Sequence, residues 1–147
     1  MSDSRSALRV FDLFSARQLQ FHHLGLACRS VEAEMAAWIG LGYAVEADIF
    51  VDPIQKVRGV FIIGAGPRLE LLEPLDETSP VTGYLKRGVK IYHQAFLAQA
   101  FEAILQELQV QGGKIVAPPA PAVAFAGRRV AFVMMRGLNL VEIIEPS

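Results

Sequence analysis

The hydrophobic and polar positions of the chain follow the same succession of patterns twice. In the first half, residues 21–27 alternate as in a half-buried strand. A helix is predicted over 31–38, with Ser30 as its N-cap and Gly40 and Gly42 at its end. Three further strands are predicted, at 43–51, 57–63 and 69–72. The order of this unit is therefore βαβββ.

The second half repeats that order after a connector over 76–88, which contains a short helix around 81–85. A strand over 89–98 precedes a helix over 100–111, whose apolar residues share one stripe. The remaining predictions are a strand at 114–116, a proline-rich loop at 118–121 and a hairpin of strands 128–134 and 138–144. This unit is again βαβββ.

The repeated pattern predicts one α+β domain over residues 21–147, made of two repeats, 21–75 and 89–146. One curved sheet with a single helix leaves its concave face uncovered, so two copies side by side would enclose a cavity. An N-terminal arm over 1–20 precedes the domain. The arm is too apolar for a free tail, and we expect it to pack on the domain or on a partner subunit.

A repeated pair of ionisable residues carries the chemistry of the sequence. Glu70 opens the run Glu-Leu-Leu-Glu-Pro, and Glu142 opens the matching run Glu-Ile-Ile-Glu-Pro. His23 lies 47 positions before Glu70, and His93 lies 49 positions before Glu142. Two histidines and two carboxylates at matched positions form a donor set for a divalent metal.

Strand alternation predicts where these side chains point. His23 lies on the face opposite Leu24 and Leu26, and an ionised glutamate inside an apolar strand needs water, a partner or a metal. A single histidine in such a strand is more often structural, and a single carboxylate usually faces water, but the repetition favours a shared ion. The same alternation predicts that His22 and Tyr92 face away from the site. Glu73 and Glu145 are likewise predicted to face away, as charges at the strand ends.

Composition narrows the remaining classes of function. The chain has 147 residues and a net charge of −1, which gives no indication of a nucleic-acid surface. Cys28 is the single cysteine and cannot form an internal disulfide. The sequence contains no apolar run of membrane-spanning length and no signal peptide. We therefore expect a cytoplasmic protein, without a membrane or nucleic-acid partner, that acts on a small molecule as a homodimer.

Several segments resemble the vicinal-oxygen-chelate superfamily, which includes glyoxalase I, methylmalonyl-CoA epimerase, extradiol dioxygenases and bleomycin-resistance proteins. The chain is most similar to the epimerase branch, and the resemblance runs from Phe21 to Glu145. The segments that carry it are 23–27, 69–75, 76–80, 84–85, 93–96, 127–132 and 140–142. The resemblance implies a glyoxalase-like fold of two βαβββ modules around a metal-lined cavity.

The family's metal ligands fall on four residues of this chain: His23, Glu70, His93 and Glu142. The same set of two histidines and two glutamates occurs in bacterial glyoxalase I. The resemblance implies a divalent ion (Zn, Ni, Co or Mn) that acts as a Lewis acid while a proton leaves a carbon atom. Glu142 is expected to be the base. An extradiol oxygenase site has a single glutamate ligand. In this chain Glu70 would be an additional ligand, which argues against extradiol chemistry.

Two departures separate the chain from the epimerases. Gly59 stands where they place a second catalytic glutamate, and residues 133–137 replace their polar loop before the last strand. The sequence therefore predicts a metal-dependent isomerase, epimerase or lyase for a small substrate with two chelating oxygens. The alternative is a binding protein of the bleomycin-resistance type, which would sequester a small molecule without turnover.

Overall fold

The computed structural model describes residues 19–147, so the predicted N-terminal arm lies outside the described residues except for its last two, Leu19 and Gln20, which begin the first strand. These residues form nine strands, three α-helices and one 3₁₀ turn at Val123–Phe125. The strands are β1 Leu19–Ala27, β2 Ala44–Val45, β3 Phe50–Asp52, β4 Val57–Ile63, β5 Leu69–Pro74, β6 Ile91–Ala98, β7 Lys114–Pro121, β8 Arg129–Met134 and β9 Leu140–Ile144. The helices are α1 Val31–Ile39, α2 Pro80–Lys86 and α3 Phe101–Val110.

All the described strands belong to one mixed sheet, and the two halves of the chain meet at its centre. The strand order is β2-β4-β5-β1-β6-β9-β8-β7, with β3 paired to β4. In each half the first strand pairs parallel to the last, β1 with β5 and β6 with β9. The antiparallel pair of β1 and β6 joins the halves. This is the predicted α+β arrangement of two βαβββ modules.

Local sequence signals set the ends of the helices. The hydroxyl of Ser30 accepts a hydrogen bond from the amide of Ala33 at 3.2 Å and caps α1 as predicted. In α2, Ser79 is the N-cap and Pro80 occupies the first turn, where its missing amide hydrogen costs nothing. No helix within residues 19–147 is long and apolar enough to span a lipid bilayer.

The two faces of the sheet are buried by different partners. Outer-face residues of β4 and β5, among them Val60 and Leu71, pack with Val31 of α1. In the second half, Ala131 and Ile143 pack with Ile104 of α3 in the same way. The inner-face residues of both halves form a third cluster between them, whose aromatic members are Phe61, Tyr92, Phe125 and Phe132. The inner face of the curved sheet therefore contains the cavity.

Two predicted elements differ from the structure. The single strand expected over 43–51 consists of two short strands, β2 and β3, separated by exposed residues. The strand expected over 114–116 extends to Pro121 through the segment predicted as a loop. β7 lies at the edge of the sheet and has two register shifts, which are the conditions under which a strand tolerates proline.

A pair of matching irregularities lies at the seam between the halves. Along β1, Phe21 pairs with Phe96 and His23 with Ala95, so His22 is one extra residue opposite β6. Along β6, residues 93 and 91 pair with consecutive residues of β1, so Tyr92 is the extra residue there. A bulge turns the extra side chain out of strict alternation. Both bulges directly precede a histidine of the predicted metal site.

Candidate metal centre

The strand register brings the four predicted ligands together in two equivalent sets. Gly25 of β1 pairs with His93 of β6 on one side and with Glu70 of β5 on the other. Ala95 of β6 pairs in the same way with His23 and with Glu142 of β9. The repeated spacing in the sequence therefore corresponds to an approximate twofold relation across the β1–β6 seam.

The four side chains converge on one point. The Nε2 atoms of His23 and His93 are 2.9 Å apart. Oε1 of Glu70 lies 3.1 Å from Nε2 of His23 and 3.3 Å from Nε2 of His93. Oε1 of Glu142 lies 3.2 Å from each of these nitrogens. All four side chains are buried, the most exposed being Glu70 at 5%.

This arrangement fits a divalent ion. Four donors bound at about 2.0–2.2 Å to one ion are separated by roughly 2.8–3.1 Å when adjacent in an octahedron and by roughly 3.3–3.6 Å in a tetrahedron. The observed separations of 2.9–3.3 Å span these two cases. Oε1 of Glu142 is buried, and the two histidine nitrogens are its only candidate donors among the residues described. A cation at the centre would supply a further partner.

The electrostatics of the cluster favour a positive charge at the same point. Burial opposes charge on His93, but the carboxylates of Glu142 and Glu70 outweigh it and raise the pKa of His93 to about 9. The pKa of His23 is raised by the same two carboxylates against its burial. Burial likewise opposes the ionised carboxylates, yet the histidines lower the pKa of Glu70 to about 2 and lower that of Glu142. Without a metal, the cluster therefore holds its protons on the imidazoles and keeps its carboxylates ionised.

Packing around the histidine rings is also matched between the halves. Phe61 contacts the ring of His23 with a centroid separation of 5.0 Å, and Phe132 contacts that of His93 at 5.4 Å. Gly25 leaves space for the ring of His93, because a Cβ atom at residue 25 would lie 2.6 Å from His93 Nε2. The orientation of His93 therefore depends on the absence of a side chain at Gly25.

The prediction that His22 faces away from the site is wrong. The bulge in β1 turns this residue toward its neighbour, and the Nδ1 atoms of His22 and His23 are 2.8 Å apart. Burial, together with the positive charges of His23 and Arg68, lowers the pKa of His22 to about 4, so its ring is neutral at neutral pH. The same prediction is wrong for Tyr92, which lies at the matching bulge, is buried and lines the cavity.

The sequence analysis missed a buried carboxylate in the wall of the cavity. Asp52 is 1% exposed, and its Oδ1 accepts hydrogen bonds from the amides of Ile54 and Gln55 at 3.0 Å. Its Oδ2 accepts a third from the amide of Val123 in the other half, also at 3.0 Å. Asp52 precedes Pro53, a combination that favours a local turn, but nothing in the sequence indicates the bond to Val123.

The outer glutamates face away from the cluster, as predicted, and form matching ion-pair networks. Glu73 accepts from Arg58 at 2.8 Å and from the first amide of α1, and Arg58 also pairs with Glu32. In the second half the equivalent network consists of Glu145, Arg129 and Glu102. The carboxylates of Glu73 and Glu145 are half-buried and paired with arginines, so they are not available to bind an ion shared by the central cluster.

Comparison with known proteins assigns the chain to a family. The sequence profile of the Glyoxalase/Bleomycin resistance protein/Dioxygenase superfamily matches residues 22–132. The chain belongs to this superfamily.

Its relatives include proteins with and without a described activity. The uncharacterized protein YqjC of Bacillus subtilis (strain 168) is 32% identical over 131 residues, which are 85% of this chain and 91% of that protein. An ethylmalonyl-CoA/methylmalonyl-CoA epimerase of Cereibacter sphaeroides is 26% identical over 84% of this chain and 96% of its own length. The crystal structure of methylmalonyl-CoA epimerase from Mycobacterium tuberculosis superposes with a TM-score of 0.74, at 25% identity, covering 86% of this chain and 87% of that one.

Replacement of Gly25 by alanine should abolish tight metal binding. The added Cβ occupies the space of the His93 ring, so His93 must turn away and the donor set loses one nitrogen. We expect the dissociation constant for Zn²⁺, measured by competition with a chromophoric chelator, to rise more than about 10-fold. Gly83→Ala in α2, where the added atom meets only the end of the Arg87 side chain, is the control and should bind zinc like the wild type.

The metal-free protein should lose stability as the pH rises above neutrality. The folded-state pKa of His93 is about 9 and its unfolded value is 6.5. Protonation of His93 therefore stabilises the fold fully below about pH 6.5, and this contribution disappears through pH 9. We expect the free energy of unfolding in urea to fall by on the order of 2–3 kcal/mol between pH 6 and pH 9.5. Saturating Zn²⁺ should remove most of this decline, and stability that rises with pH in the metal-free protein would contradict the assignment.

Proposed function

We propose that the protein is a metal-dependent enzyme of the isomerase or lyase type that moves a proton on a small substrate with two vicinal oxygens. The observation that carries this proposal is the convergence of His23, Glu70, His93 and Glu142 at one buried point. A divalent ion bound there would supply Lewis acidity toward the substrate oxygens. These four residues would hold the ion, and the chain would provide the base.

Glu142 is the base that the arrangement favours. Its Oε1 has no donor among the described residues besides the two histidine nitrogens, and the side chain lines the cavity. A carboxylate that borders the space for a bound substrate can accept a proton from it. The resemblance to glyoxalase I, in which a carboxylate at a ligand position transfers the proton, supports the same choice.

The opposite wall of the cavity provides no second base at the position that the epimerases use. Gly59 pairs with Phe50 on β3 and with Leu72 on β5, and both of these neighbours line the cavity. A Cβ at residue 59 would lie 2.7 Å from Cζ of Phe50 and 2.8 Å from the carbonyl oxygen of Leu71. The ring of Phe50 therefore fills the space of the missing side chain. This favours chemistry in which one carboxylate removes and returns the proton.

The space beside the cluster is small. The free volume beside the cluster is about 20 Å³, enough for roughly one water-sized group. The wall segment Ala122–Phe125 closes over it and is held by Asp52. Even a small substrate must displace part of this wall, and an acyl-CoA would require a much larger opening.

The two arginines near the site are already engaged. Arg128 donates to the carbonyl oxygens of Phe125 and Glu145, each at 3.2 Å. Arg129 pairs with the carboxylates of Glu145 and Glu102. Binding of an anionic group by either arginine would break these contacts. This supports a substrate whose recognition depends on its two vicinal oxygens.

Substitution Glu142→Gln should remove proton transfer while preserving the fold. We expect the rate of deuterium incorporation at the α-carbon of an α-hydroxy ketone such as hydroxyacetone, catalysed by zinc-, nickel- or cobalt-loaded protein, to fall at least about 100-fold. Glu73→Gln makes the same chemical change at a glutamate that faces away from the cavity and should have little effect. Full exchange by the Glu142 variant would mean that another group is the base. No exchange by the wild-type protein with any such substrate would favour the binding-protein alternative.

The metal-loaded wild-type protein should racemise methylmalonyl-CoA weakly or not at all. A two-base epimerase needs a proton donor on each face, and Phe50 occupies the space beside Gly59. Wild-type turnover of about 10 per second or more would contradict the one-base assignment.

A further inference from the structure

A second imidazole supports one of the two histidines of the metal centre. His22 is the extra residue of the bulge in β1, and its carbonyl oxygen accepts a hydrogen bond from Arg68 at 3.0 Å. Its ring makes edge contacts with Phe61 and Phe125, at centroid separations of 5.8 and 5.4 Å. The bulge, Arg68 and the two aromatic rings together fix the position of this imidazole.

The contact between the two rings determines which nitrogen of His23 can bind an ion. The Nδ1 atoms of His22 and His23 are 2.8 Å apart, a hydrogen-bond distance that requires a proton on one nitrogen and a free lone pair on the other. Nε2 of His23 faces Glu70 and Glu142 at 3.1 and 3.2 Å. For Nε2 to offer its lone pair to a cation, the proton of His23 must be on Nδ1, and His22 is placed to accept it.

The second half of the molecule lacks an equivalent contact. Tyr92 occupies the matching bulge but packs its ring against that of His93, with centroids 4.9 Å apart. Nδ1 of His93 is buried and has no hydrogen-bond partner among residues 19–147. The two histidines are thus held differently, His93 by packing over Gly25 and His23 by a directed hydrogen bond. This is a clear break in the approximate twofold relation of the site.

We propose that His22 is a positioning residue of the metal centre, which accepts the Nδ1 proton of His23 and thereby orients the Nε2 lone pair of His23 toward the ion. The proposal rests on the metal-dependent function proposed above. Partners that orient the ligands of a metal typically change its affinity 10- to 100-fold when they are removed. His22 would act only through His23, since it does not line the cavity.

Two substitutions at the same residue separate this role from packing. His22→Leu keeps apolar contact with Phe61 and Phe125 but removes the acceptor, and the dissociation constant for Zn²⁺ should rise about 10- to 100-fold. His22→Asn places an amide oxygen near the position of Nδ1, so it should retain affinity within a few-fold of the wild type. Thermal unfolding of each metal-free variant confirms that it is folded. Equal affinity of the leucine variant and the wild type, or equal loss in both variants, would overturn the proposal.

The hydrogen bond itself can be detected by NMR in protein labelled with ¹⁵N-histidine and loaded with zinc. We expect a scalar coupling between the two Nδ1 nuclei across the shared proton in the wild type, and none in His22→Leu. Tight zinc binding without this coupling would overturn the role of His22 and leave the metal function intact. A wild-type protein that binds no divalent ion would instead overturn the metal function, and the positioning role with it.

Discussion

The architecture of this protein depends on the mutual compensation of four buried ionisable side chains. Two carboxylates placed inside an apolar sheet would be costly if each were alone, and the same is true of two charged imidazoles. Here the carboxylates lie within 3.1–3.3 Å of the imidazole nitrogens, so each charge is balanced by its neighbours. The two carboxylates require positive charge at the centre, either from protons on the imidazoles or from a metal ion. Because the four residues come from both halves of the chain, this requirement also holds the halves together.

The internal repeat extends beyond the central cluster. The networks of Glu32, Arg58 and Glu73 and of Glu102, Arg129 and Glu145 have the same arrangement in the two halves. The positions that break the repeat are concentrated near the site. Gly25 corresponds to Ala95 and makes room for a ring, while His22 corresponds to Tyr92 and adds a hydrogen-bond acceptor. The two halves therefore share a scaffold and differ where the site needs unequal groups.

Family membership and the identity of the reaction rest on different residues. The superfamily assignment follows from the profile match over residues 22–132 and from the common fold. The reaction depends on a small number of positions around the cluster, above all Glu142 and the wall opposite it. Phe50 beside Gly59 changes that wall without altering the sheet, because the ring replaces the volume of the missing side chain. Sharing the fold with a relative that has epimerase activity therefore does not by itself assign that reaction to this chain.

The sequence by itself determined the βαβββ repeat and the Ser30 cap, because periodicity and capping act over short distances along the chain. It also indicated the four candidate ligands, because the same residue types return at matched positions of the two repeats. Tertiary structure decided what depends on contacts between distant segments. Strict alternation placed His22 on the wrong face, since the bulge exists only in the pairing of β1 with β6. The bond from Asp52 to Val123 and the fit of His93 over Gly25 likewise join segments whose proximity no local pattern encodes.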